Sequence, residues 1–284
     1  MIKKYIGLSI FLMFMVGCAS NKRMSETDQY QEMKKSTIYR AYQKISVESM
    51  RPIVKEYNKK LIKENQPQSG DVHVHSLLAL IWLGAYQPKY ALAESQYAVE
   101  HAIEPKDRFA ALAVQALAMH QQGWHGLATQ PSNESNAIRK TNNFSGRYKN
   151  SLLLVHVAGG ALAVKEGDIT QTITAVNEIG ILLNKPWIVK LAQSTQSVHQ
   201  GAITNAITIL DEIKSDPDVS NKNRKRISKM QEIVKGGGKN MTNEFSKAVI
   251  NAVAQDAIQD NDLTPKVLAK LPKKYRAKVT KYIN

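Results

Sequence analysis

The sequence predicts an all-α chain built from antiparallel helix pairs, on three observations. Apolar residues recur at three- and four-residue spacing through most of the chain beyond residue 36. Alanine, which gives up no side-chain entropy in a helix, is plentiful, whereas aromatic residues make up only 7%. Turn-forming residues punctuate the periodic stretches at near-regular intervals: Pro88, Gly123, Gly167 and Gly201 lie 35, 44 and 34 residues apart. Hydrophobic residues account for 43% of the 284, which supports a real core and argues against global disorder.

The amino terminus stands apart from this pattern. Lys3 and Lys4 precede an almost wholly apolar run from Ile6 to Val16. About 20 apolar residues are needed to cross a bilayer core, so the run is too short for an ordinary span and has the length of a signal-peptide apolar segment. It ends in Met15-Val16-Gly17-Cys18, and Cys18 is the only cysteine in the chain, so no internal disulfide can form. These residues resemble a bacterial lipoprotein signal with its lipobox, with Met15 in place of the usual leucine. The resemblance implies cleavage between Gly17 and Cys18, a diacylglycerol thioether on the Cys18 sulfur and a fatty acid on its new amino group. A single acyl chain binds a membrane only marginally, whereas several hold it firmly. Ala19, rather than aspartate, follows the cysteine, which in such lipoproteins implies the outer membrane, facing the periplasm. Residues 1–17 are then the signal peptide and 18–35, which lack an apolar period, a lipidated tether.

Next comes a helical pattern from Ser36 to Asn65, with Tyr42, Ile45, Ile53, Tyr57 and Leu61 on one face and Ser49 and Pro52 suited to a cap and first turn. Gln66 to Asp71 is a loop.

Repetition dominates residues 72–218. After Gly201, Ala206, Leu210 and Ile213 follow at fixed offsets, and Pro217 ends the unit. The same offsets give Ala93, Tyr97 and Glu100 after Pro88, and Thr172, Val176 and Ile179 after Gly167; after Gly123 comes Ala128, and then the pattern dissolves. These spacings resemble a degenerate tetratricopeptide repeat, two antiparallel helices in about 34 residues. The resemblance implies a superhelix, or α-solenoid, over 36–218. Its small residues allow close helix contact, and its concave face, built from the first helix of each pair, would receive a partner. Gln115, Met119 and His120 on one such helix are the candidate contacts.

Extra length between Gly123 and Gly167 falls on Gln130 to Asn150, an Asn- and Ser-rich insertion loop in which Arg139, Lys140, Arg147 and Lys149 flank Phe144 and Tyr148. Such a mixture can stack on and pair with an acidic partner. Residues 219–284 form a basic C-terminal helical region. From Lys222 onward there are 15 Lys and Arg against 5 Asp and Glu, so most of the formal charge of +15 sits there. A basic amphipathic end either caps the array or meets an anionic surface, peptidoglycan or lipid; nucleic acid is not the expected partner.

Chemistry-bearing motifs are few. Gly236-Gly237-Gly238-Lys239 lacks the spacing of a phosphate loop and reads as a linker. His73 with His75 supplies two metal ligands at best, and a turn separates His120 from His125. No serine sits in a glycine-flanked elbow, and Gly159-Gly160 reads as a close helix contact. The sequence therefore predicts no catalytic residue, metal or cofactor. The expected function is a lipid-anchored adaptor binding an envelope protein, with a structural tether as the alternative and a cell-wall glycan enzyme third.

Overall fold

In the computed structural model, which describes residues 24–144 and 148–283, every regular element among the described residues is a helix. The chain divides into two compact units at Ser36. The first contains α1 (Glu26–Lys35), within the segment expected to be a lipidated tether. Local chemistry accounts for it: the Ser25 side chain accepts from the Asp28 N–H, Glu26 and Asp28 occupy the first turn, and Lys34 and Lys35 the last.

The second unit begins with α2 (Thr37–Lys63), which runs unbroken through Pro52 rather than starting near it. Proline removes one helical hydrogen bond. A buried stripe of Tyr39, Ser46, Met50, Ile53, Val54, Tyr57 and Leu61 extends on both sides of it and holds the helix together. Ile45, expected on that stripe, is exposed.

Five hairpins follow: α3 (Gly70–Gly84) with α4 (Pro88–His101), α5 (Pro105–Gln122) with α6 (His125–Thr141), α7 (Lys149–Glu166) with α8 (Ile169–Leu183), α9 (Pro186–His199) with α10 (Ile203–Ser215), and α11 (Asn221–Gly236) with α12 (Met241–Gln259). Two short helices close the chain, α13 (Thr264–Lys270) and α14 (Lys273–Ile283). Proline opens α4, α5 and α9, where its missing N–H costs nothing.

The first four hairpins share one register, and it differs from the sequence-based one at two places. Their turns place Tyr86, Gly123, Gly167 and Gly201 in the left-handed region. Pro88, expected as the first turn residue, instead begins the second helix. Counting 5, 9 and 12 residues beyond each left-handed position gives Ala91, Ser95 and Ala98; Ala128, Ser132 and Ser135; Thr172, Val176 and Ile179; and Ala206, Leu210 and Ile213. All twelve are buried. In α6 the pattern is therefore continued by serine, not lost: Ser135 Oγ donates to the Ser132 carbonyl at 2.8 Å, which satisfies the buried hydroxyl. The insertion loop expected over 130–150 shrinks accordingly, because α6 continues to Thr141.

Packing between hairpins changes along the chain. α5 lies against α3, α4, α6 and α7, as stacked hairpins require. Further on, α12 packs against α7, α8 and α9, while α13 reaches back to α2 and α14 to α3. The carboxy-terminal helices thus cover the middle of the hairpin series and meet its first helices, instead of only closing its end. Phe245, Val249 and Val253 of α12 are fully buried. Lys60 pairs with Asp262 at 2.6 Å, and Lys266 pairs with Glu56. Gly159 and Gly160 make the expected close approach on α7. A Cβ at Gly159 would lie 2.8 Å from the Phe109 ring, and one at Gly160 would lie 2.8 Å from both Ala175 and Ile250.

Candidate functional site

Two buried polar clusters and an open groove bring together chemistry-bearing residues of the second unit. The first cluster centres on Glu94 of α4, which is 2% exposed. Its Oε1 accepts from Tyr42 Oη at 2.6 Å and Ser46 Oγ at 2.5 Å, both on α2, and its Oε2 lies 2.5 Å from Nδ1 of His75 on α3. Trp82 Nε1 in turn donates to Tyr42 Oη at 2.6 Å. Burial, and then the adjoining carboxylate, push the Tyr42 phenol well above its ordinary range. Tyr90 and Tyr275 share a hydrogen bond at 2.6 Å beside the Trp82 ring, which joins α14 to the same network. Both Glu94 oxygens are engaged by protein, so the cluster locks three helices together and leaves neither oxygen free to accept from a ligand.

The second cluster sets Ser69, His73 and Asp107 in a row. His73 Nδ1 lies 2.7 Å from the Ser69 carbonyl and 3.1 Å from Ser69 Oγ, and His73 Nε2 lies 3.6 Å from Asp107 Oδ1. A carbonyl can only accept, so Nδ1 carries the proton and donates to it. That nitrogen cannot then take a proton from Ser69 Oγ, so the row does not form a nucleophile–base pair. Burial lowers the His73 pKa, opposed by Asp107, and keeps the ring neutral. Tyr148 stacks edge-on against Tyr57 and His73 over this cluster, with ring centroids 5.2 and 6.1 Å away.

A histidine outside both clusters, His156 of α7, makes stability depend on pH. Burial holds His156 down to about 4, whereas an unfolded histidine titrates near ~6.5. Its contribution is fully present above the unfolded value and is lost as pH falls toward the folded one, because the unfolded chain binds the proton first. Loss from this residue approaches about 3 kcal/mol at pH 4. Urea midpoints measured between pH 7 and pH 4 should fall less steeply for His156→Gln than for the natural protein; equal slopes would contradict the assignment.

The groove lies between the ends of α3, α5 and α7 and the face of α12, with a volume of about 340 Å³. Leu83, Leu117, Val157 and Ile258 line it, with Tyr86, His120 and Lys165 among its polar contributors. His120 and His125 approach at 3.1 Å between their Nδ1 atoms across the Gly123 turn. Burial, then Lys165 and His125, lower the His120 pKa and keep it uncharged. Among the described residues, no three or more His, Cys, Asp or Glu side chains gather to hold a metal ion.

The sequence-predicted contacts divide accordingly. His120 does line an open groove. Gln115 and Met119 do not: neighbouring helices enclose α5, and both residues are buried, with Gln115 donating to Gln96 Oε1 at 2.6 Å. The aromatics expected to stack on a partner are turned inward, Phe144 onto Phe109 and Tyr148 onto Tyr57. Arg139 is held by Gln171 at 2.8 Å and Asp168 at 3.7 Å, while Lys140 and Lys149 face solvent. Gly17, Cys18 and Arg147 lie outside the described residues. Tyr86 and Lys165 were not anticipated; the sequence signal for Tyr86 is its place in the turn series, visible only once the register is set two residues earlier. No helix among the described residues is long and apolar enough to cross a membrane. Comparison of the chain with protein-family models, characterised proteins and solved structures finds no match.

Proposed function

We propose that the protein is a lipid-anchored, periplasm-facing adaptor whose helical hairpins bind a protein of the cell envelope. The observation that carries this reading is the amino-terminal sequence, in which a lysine pair, an apolar run of signal-peptide length and Met15-Val16-Gly17-Cys18 follow in lipoprotein order. The shared register of four hairpins supports a tetratricopeptide-like array, a scaffold suited to presenting a binding surface rather than to performing chemistry. Two buried polar clusters that serve packing agree with a binding role.

Mass spectrometry of the protein from its native membrane tests the anchor. The amino-terminal peptide should begin at Cys18 and carry a diacylglycerol and an amide-linked fatty acid, and Cys18→Ala should keep residues 1–17. An intact Met1 with unmodified Cys18 would overturn both address and role. The adaptor itself is tested by cross-linking in the cell, which should join the hairpin region to one envelope protein.

A second reading has one specific observation behind it: Lys225, Lys229, Lys235 and Lys239 are all exposed on and just after α11. There the protein would tether a second anionic layer, peptidoglycan or lipid. Binding that disappears at high ionic strength and tracks these lysines would favour the tether over the adaptor.

A further inference from the structure

Three of the four matched turns place glycine at the left-handed position, Gly123 at φ 87°, Gly167 at 80° and Gly201 at 75°; the first places Tyr86 there at 55°. The turns are equivalent in their bonding. In each, the following N–H returns to a carbonyl five residues earlier: Gln87 to Trp82, Trp124 to Met119, Asp168 to Ala163, and Ala202 to Ser197. Glycine adopts this conformation freely, and asparagine tolerates it, as at Asn65 and Asn184. Tyrosine is strained there, and the residue is 73% exposed, so burial does little to offset the strain. A bulky residue held in a strained turn points to use of the ring, and the ring lies along the groove.

The rest of the groove says what it would take. Its aliphatic residues are interspersed with the neutral amides Gln121, Asn251 and Gln255, and the lining contains no carboxylate. Its one permanent cation is Lys165, an exposed side chain that makes no ion pair among the described residues. Buried residues such as Val157 form the floor, and the exposed Tyr86 and Lys165 form the rim. A single extended aliphatic chain fits within a space of about 340 Å³.

We propose that this groove binds an amphiphile with one aliphatic chain and an anionic head, a free fatty acid in chemical class. The chain lies on Leu83, Leu117 and Ile258, the Tyr86 ring covers it, and the head pairs with Lys165. The site stands independently of the adaptor reading, because neither Cys18 nor a protein partner enters the argument.

Photolabelling of the full chain tests it, with a dodecanoate carrying a diazirine near its methyl end and mass-spectrometric mapping of the labelled peptides. Label should concentrate on groove segments of α3, α5 or α12. Laurate should compete for it, and dodecyltrimethylammonium, with the opposite head charge, should not. Lys165→Glu and Tyr86→Gly should each cut groove labelling about ten-fold, worth ~1.4 kcal/mol, and Tyr86→Phe should retain it. Tyr86→Gly should also raise the melting temperature by ~2–4 °C, since it relieves the strained turn. Label scattered over the surface, equal competition by the cationic amphiphile, or indifference to both substitutions would overturn the proposal. So would a Tyr86→Gly variant that gains no stability, because the strain argument would then be lost.

Discussion

Replacing Glu94 by alanine is expected to destabilise the protein by about 3–5 kcal/mol, the range for removing one partner of a buried polar pair. The carboxylate is the shared acceptor for Tyr42, Ser46 and His75, all drawn from α2 and α3. Its loss leaves three polar groups facing a void, in a region where His75 and Ser46 are almost wholly shielded from water. A chain of this size shifts its melting temperature by ~2–4 °C per kcal/mol, so calorimetry should register a fall on the order of 10 °C. Glu94→Gln retains an acceptor oxygen and should lose roughly half as much. Replacing both members, Glu94→Met with His75→Leu, should recover only part of the loss, because the imidazole is removed while the Tyr42 and Ser46 hydroxyls still lack their acceptor. Trp82, bonded to the same network through Tyr42, provides a fluorescence probe of the site. A Glu94→Ala protein with unchanged stability would show that the carboxylate is not the hub of this junction.

That junction was half legible in the sequence. The helical spacing from Ser36 to Asn65 put Tyr42 and Tyr57 on an inner face, and both make inward contacts. Glu94 gave no signal, because an isolated glutamate in a helix reads as surface, and only the three donors that converge on it reveal otherwise. Hairpin register failed for a related reason. Pro88 looks like a turn residue, yet proline's fixed φ suits the first turn of a helix, and the turn itself is made by a tyrosine in a conformation that sequence rules reserve for glycine. Ser132 and Ser135 count as polar by composition, but a serine that bonds back to its own helix buries as readily as alanine, so a repeat that appeared to end at Ala128 in fact continues. The groove was out of reach. It exists because α12 comes back across α7 from a distance in sequence that no local periodicity encodes, and His120 was singled out for its helix, not for that neighbour.

The return of α12 sets up the second large effect. Phe245 is completely buried near the start of α12. Truncating a core phenylalanine to alanine costs about 3–5 kcal/mol through lost burial and the cavity left behind. Where that cost appears is the informative part. α12 touches α7, α8, α9 and α11, and the helices after it touch α2 and α3. If these contacts make the second unit a single cooperative body, Phe245→Ala should lower the urea midpoint of one common transition. Amide exchange should then speed up in α3 and α7 as much as in α12. If the carboxy-terminal helices were a separable cap, the same substitution would release only α12–α14, and a first, smaller transition would precede an unshifted main one. The ties Lys60–Asp262 and Lys266–Glu56 are exposed and contribute little alone, so they cannot hold the end of the chain against the loss of this ring. The apolar face of α12 is what keeps the chain folded back on its first helices, and a single transition with global exchange is therefore the expected result.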